Sequence, residues 1–402
     1  MATVAAGDLQ PADRPPDGGS RRATAVGLVA VLVLVAAPGC RGGRSGGGAG
    51  GAMGGGTGGS PMGGGTGGSP VGGGTGGSPV GGGTGGSPVG GGTGGSGMAS
   101  GSGLFPAGAW FYQDVSSAPL HPRSAAITAW LVSAGGWGAG RLQIDFSIEV
   151  LEAAADTPNR TFQPTGDFYN PDCDAVAVPV PVGGALEGES GYACAGDGDC
   201  HLIVIDRRVN RLFEMWRANI TGTTFAGGCL AAWDLTRVYP PEGRGEQCTS
   251  ADAAGFPITP LLFTADEVAA GEVAHAIRFI LPNARMRAGY YMRPATHAGG
   301  PSASSEDAPT YGTRWRLRPD FPLASLPNEG ARVVARGLQR YGMALADGGN
   351  IALTARSDRF TAAKWNGLLG SRDLQAIQPG DFQVIDTGPP IPLTFDCVRT
   401  PY

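Results

Sequence analysis

"GRLQIDFSIEVLEA", residues 140–153, alternates with a period of two. Leu142, Ile144, Phe146, Ile148 and Val150 are apolar, while Gln143, Asp145, Ser147 and Glu149 between them are polar. Successive side chains of a strand point to opposite faces, so the pattern predicts a strand with one buried and one wet face. Downstream, "HLIVID" (201–206) and "RLFEMWRANI" (211–220) flank the turn residues Arg207 to Asn210 and predict a hairpin. Further strands are expected at Cys229–Leu235, Glu272–Leu281, Gly289–Arg293, Thr310–Arg318, Met343–Ala346, Ile351–Ala355 and Asp381–Asp386. Helices are few. Thr264 and Glu267 form a capping-box pattern that opens "TADEVAAG", and Gly271 stops it. "NEGARVVARGLQRYG" (328–342) puts Val334, Leu338 and Tyr341 on one side, and "TAAKWNGLLG" (361–370) is a third candidate. Many antiparallel strands with two or three short helices predict a mainly β chain, an antiparallel β-sandwich or jelly roll.

Upstream of Leu104 the composition changes. Arg21 and Arg22 precede an apolar run from Ala23 to Ala37, of signal-peptide length and too short to span a membrane comfortably. It ends in Ala37-Pro38-Gly39-Cys40, which resembles a bacterial lipobox, with Ala37 where Leu is usual and Pro38 an uncommon choice. The resemblance implies cleavage before Cys40 and lipidation of that Cys; the alternative is an ordinary secreted protein cut nearby. Next, "MGGGTGGSP" starts at Met53 and Met62, and "VGGGTGGSP" at Val71 and Val80. One Val or Met per repeat builds no solenoid core, so the segment reads as a flexible tether. A coil of ~60 such residues has an r.m.s. span of ~40–45 Å. The organisation is therefore a signal peptide (1–39), a Gly-rich tether (40–103) and a folded domain (104–402), displayed at the outer membrane or cell surface. Contact with membrane is expected through the lipid only, and the domain is expected to be a monomer.

The net charge is −5, from 29 Lys and Arg against 34 Asp and Glu. A nucleic-acid partner calls for a basic face, and none is indicated. Six Cys follow Cys40: Cys173, Cys194, Cys200, Cys229, Cys248 and Cys397. An even count in an exported chain predicts three disulfides. Spacing favours Cys194–Cys200 and Cys229–Cys248, leaving Cys173–Cys397. No CxxC pair occurs, so no metal or other cofactor is expected.

Four segments, "HLIVIDRRVNRLFEMWRA", "TSADAAGFPITPLLFTADEVAAGEVAHAIRF", "YMRPATHAGG" and "YGMALADGGN", resemble a widespread family of exported bacterial proteins. The resemblance covers roughly residues 105 to 385 and carries no reaction with it. An aromatic residue usually stands in that family where this chain has Cys248.

Candidate residues come from the segments themselves. Asp252 lies in "TSADAAGFPI", a polar turn made rigid by Pro257 and Pro260, and is expected to face a cleft; a turn cap is the plainer role. His275 alternates with Val273, Ile277 and Phe279 and is either a core imidazole or a base on a cleft floor. His201 opens the hairpin strand. Glu214, between Phe213 and Met215, is either an acid with a raised pKa or half of an ion pair. His297, in the small-residue loop "PATHAGG", and Asp234 are binding candidates, whereas Asp347 before Gly348 reads as a hairpin-turn residue. Arg314 and Arg316 share one strand face and would hold carboxylates, with Trp137 as a sugar-stacking platform. Together these point to a surface-anchored protein acting on an extracellular glycan. One form is a glycoside hydrolase or polysaccharide lyase on an acidic polysaccharide, with His275 or His201 as base and Glu214 or Asp252 as acid. The other is a non-catalytic glycan-binding or adhesion module. An enzyme needs His and carboxylates converging in one groove; a binder needs only exposed aromatics and Arg.

Overall fold

The computed structural model describes residues 103–196 and 198–400. The signal peptide, Cys40 and the repeats lie outside the described residues. Two sheets dominate, built from β1 (Ile144–Ile148), β2 (Leu151–Glu152), β3 (Leu202–Asp206), β4 (Arg211–Met215), β5 (Leu230–Asp234), β6 (Ile277–Leu281), β7 (Arg314–Leu317), β8 (Met343–Gly348), β9 (Leu353–Arg356) and β10 (Phe382–Val384). The six-stranded sheet has the order β1-β9-β6-β8-β7-β10, and the four-stranded sheet β5-β4-β3-β2. The mainly β expectation holds. The large sheet is mixed, however, because β1 runs parallel to β9 and β6 parallel to β8.

Alternation explains the layering. In the hairpin, Ile203, Ile205 and Leu212 point into the core shared with the six-stranded sheet, together with Ala231 and Trp233 of β5. Leu202, Val204, Phe213 and Met215 point the other way, into a smaller cluster with Val178, Leu186 and Phe225. The four-stranded sheet is thus covered on both faces. Opposite its first face stand Ile144, Ile277, Phe279 and Leu345 of the large sheet. At ~25 cal/mol per Å² of apolar area removed from water, this two-sided burial is the main source of stability.

The helices follow their caps. α2 (Ala265–Ala270) has the full capping box, Thr264 with Glu267, and ends at Gly271 with φ +91°. α3 (Glu329–Arg340) is capped by Asn328 and buries Val333, Val334 and Leu338. The third expected helix is a run of turns instead. There Asp358 accepts from Trp365 N at 2.8 Å and Asp266 accepts from Ala363 N at 2.6 Å. Side-chain acceptors take the N–H groups that a helix would need. The third helix is α1 (Ser124–Ser133), unexpected from the sequence, with Ile127 and Leu131 turned to the core.

All six described Cys are bridged: Cys173–Cys229, Cys194–Cys200 and Cys248–Cys397. Only Cys194–Cys200 matches the spacing argument. Asp174 N donates to Leu230 O at 2.8 Å and Asp174 accepts from Ala232 N at 2.9 Å, so Cys173 is laid against Cys229. Val398 N donates to Glu246 O at 3.0 Å, which brings Cys397 to Cys248. Chain proximity decided neither pair. Peptide mapping without reduction should recover the 173–229 and 248–397 links and no free thiol; a Cys229–Cys248 peptide would overturn this connectivity.

Candidate active site

The turn from Thr249 to Ile258 is built from its own polar groups. Ser250 Oγ donates to Phe256 O at 2.7 Å, and Asp252 N donates to Ser250 Oγ at 3.0 Å. Gly255 sits at φ +79°, where a Cβ would meet Thr296 Oγ1 at 2.1 Å. The following segment is tied down by Glu214. Its buried carboxylate accepts from Ile258 N, Thr259 N, Thr259 Oγ1 and Trp233 Nε1 at 2.8–3.0 Å. Burial pushes the Glu214 carboxyl up, although its four donors favour the ionised form. Glu214 is therefore a fastener between sheet and turn, with neither the free acid role nor an Arg partner.

His201 braces the same turn from beneath. Its Nδ1 lies 2.6 Å from Glu187 Oε2 and its Nε2 3.0 Å from Ala251 O. Burial disfavours its charge, but Glu187 overrides that and raises the imidazole to about 9, so both nitrogens donate. A doubly donating imidazolium is no base. His275 is bonded to groups outside this turn. It is fully buried, with Nδ1 2.8 Å from Ala276 O and Nε2 3.4 Å from Glu267 Oε1. It is the core imidazole of the two readings.

Asp252 faces inward. Its side chain has no exposure, and Oδ1 accepts from Arg278 Nη2 at 2.8 Å and Nε at 3.1 Å. Arg278 Nη2 also lies 3.1 Å from Asp347 Oδ2. Two carboxyls thus share one guanidinium. Burial pushes Asp252 up to about 8, with Arg278 opposing and Asp347 adding to the rise.

Asp347 reaches this network through a bulge. Phe279 pairs with Leu345, but Ile280 pairs with Asp347, so Ala346 is an extra residue in β8. Regular pairing would put Asp347 opposite Leu281, on the core face. The bulge moves it to the face that carries Arg278. Ala346 O, freed from regular pairing, accepts from Ala254 N of the turn at 2.9 Å.

The outer side of this assembly is a cleft of about 480 Å³. All four resemblance segments meet in it, through Trp216, through Thr249 to Ala251 with Ala253, through His297 to Gly300, and through Asp347 with Gly348. His297 Nδ1 lies 2.9 Å from Ala253 O, which can only accept. The proton is therefore on Nδ1, and Nε2 keeps its lone pair. Burial lowers the His297 pKa, which favours this neutral form. Asp347 keeps 22% of its side chain exposed while burial raises its pKa. Tyr311 lines the same cleft, and its hydroxyl has no hydrogen-bond partner among the described residues. Tyr311 is 1% exposed, and a Cβ at Gly299 would stand 3.1 Å from its hydroxyl. Asp172, Asp199 and Trp216 complete the polar and aromatic lining.

The remaining candidates are structural. Arg314 donates to the carbonyls of Trp110, Gln113 and Tyr341, and Arg316 to those of Val115 and Ser116. Both arginines are buried staples for the chain near Trp110, which removes the basis for a carboxylate-binding row. Trp137 is 1% exposed and donates Nε1 to Ile377 O at 2.9 Å, so no sugar can stack on it. Asp234 pairs with Arg211 at 2.7 Å and caps Thr236. A second groove of about 340 Å³, lined by Trp110, Trp233 and Tyr239, gathers no acid and base together. Of the residues singled out in the sequence, His297 lines the cleft and Asp252 stands behind its wall. Asp347, which the sequence reads as a hairpin-turn residue, lines the cleft as well, and so does Tyr311, which the sequence does not single out.

Compared with protein-family models, curated proteins and solved structures, the chain matches none.

Proposed function

We propose that this chain is an exported glycan-active enzyme that hydrolyses a glycosidic bond in this cleft. The observation that carries the proposal is the convergence of a neutral His297 and a carboxyl with a raised pKa, Asp347, on one groove. His297 Nε2 takes a proton from water as its oxygen attacks the anomeric carbon. Asp347 gives its proton to the departing glycosidic oxygen, so the C–O bond breaks with charges balanced. A lyase would need a cation to neutralise a uronate carboxylate, and among the described residues neither Arg nor Lys lines the cleft. Three disulfides suit an oxidising, extracellular setting, and among the described residues no helix is long and apolar enough to cross a membrane. Membrane attachment rests on Cys40: Cys40→Ser should shift the protein from the membrane fraction to the soluble one.

The binding-module alternative has its own support, the exposed rings of Tyr169 and Phe395 at the cleft. A polysaccharide panel separates the two. New reducing ends that vanish in Asp347→Asn support the enzyme. Unsaturated products would mean a lyase. Binding without any product from the wild type would mean a module.

A further inference from the structure

We propose that the C-terminal strap, residues 391–399, is part of this cleft, with Phe395 as a ring-stacking platform selecting a neutral or amine-bearing sugar over an acidic one. The inference rests on the glycan reading above and names the class of sugar. Phe395 is 64% exposed, lines the cleft, and stands edge-on to His297 with ring centroids 5.5 Å apart. Its φ is +63°, a left-handed conformation that bulky side chains rarely adopt. No core packing accounts for it, because the ring faces outward. Strain spent on presenting an exposed aromatic beside a candidate base points to a ligand.

The strap is fastened on both sides of Phe395. Gln247 Nε2 donates to Pro392 O at 3.1 Å, and Thr394 N donates to Gln247 Oε1 at 2.9 Å. Beyond it, Cys397 is bonded to Cys248, and Arg399 reaches Asp174 Oδ1 and Asp172 O at 2.6 Å each. A ring held this way loses little freedom on binding, which favours affinity. The cleft also holds Trp216, whose indole is oriented by Asp199 Oδ1 at 2.9 Å. Aromatic rings accept the apolar face of a sugar, and the carboxylates of Asp172 and Asp199 in the cleft lining accept its hydroxyl or ammonium protons. The same carboxylates repel a uronate ring.

The test titrates the full chain with β-linked hexamers of glucose, glucosamine and galacturonate, followed by calorimetry. We expect binding of the glucose or glucosamine hexamer and none of galacturonate. Phe395→Ala should weaken binding by about tenfold or more, while Phe395→Trp stays within about threefold of wild type. The Cys248→Ser/Cys397→Ser pair should show the Phe395→Ala loss with its circular dichroism unchanged. Unaltered binding by Phe395→Ala, or preference for galacturonate, overturns the strap proposal and leaves the glycan reading standing. Failure of the wild type to bind any of the three overturns both.

Discussion

His297→Ala will lower turnover by about 10²–10⁴-fold, the usual range for removing a positioned general base, and leave substrate binding close to wild type. The split between kcat and KM follows from the geometry. Nδ1 is committed to Ala253 O, so the ring's contribution to the reaction lies in its other nitrogen. The pH profile carries the sign. His297 must be neutral, so activity rises as pH passes its pKa, which burial places below the ordinary value. Asp347 must be protonated, so activity falls as pH passes its carboxyl pKa, which burial places above the ordinary value. The wild type should show a bell, and His297→Ala should lose the acid limb of it. A variant with full activity, or one that keeps both limbs, removes His297 from the reaction.

Arg278→Met will destabilise the fold by about 3–5 kcal/mol at pH 8, where the Asp252 carboxyl beside it is ionising, the cost of removing one partner from a buried ion network. Arg278 is 4% exposed and stands between Asp252 and Asp347. Without it both carboxyls lose their cation, and Asp252 Oδ2 already has no hydrogen-bond partner. The loss will depend on pH. The Asp252 carboxyl is raised from 3.8 to about 8 in the fold, so the folded chain holds that proton more tightly than the unfolded chain. Its burial therefore costs nothing extra below about pH 4 and costs progressively more as pH rises toward 8. Removing Arg278 raises both carboxyls further and extends that slope. Thermal unfolding of variant and wild type at pH 5 and pH 8 should give a deficit that is larger at pH 8. Equal deficits would mean that the two carboxyls do not depend on the guanidinium.

What the chain revealed before folding was local. The period-two pattern from Leu142 to Val150, the hairpin about Arg207 to Asn210, and the Thr264–Glu267 cap each lie within about a dozen residues. Backbone geometry alone makes such patterns readable. Residues of the resemblance segments line the cleft, yet the partners of the residues singled out are set elsewhere. Arg314 and Arg316 sit on one strand face as expected, but that face is covered by the chain near Trp110 and Val115, whose carbonyls they satisfy. An Arg on a wet face and an Arg under a covering strand look the same in sequence. His275 and His201 likewise differ only through their partners Glu267 and Glu187.

The sequence by itself determined the secondary-structure period, the mainly β class and the even set of cysteines. The tertiary structure decided which cysteines meet, because the chain at Asp174 and the strap at Val398 run along distant neighbours. It also decided which carboxyl reaches the cleft. One extra residue, Ala346, moves Asp347 from the core face of its strand to the face of Arg278. A bulge is set by pairing with another strand and leaves no period of its own. Long-range pairing therefore separated Asp252, behind the wall, from Asp347, in the cleft.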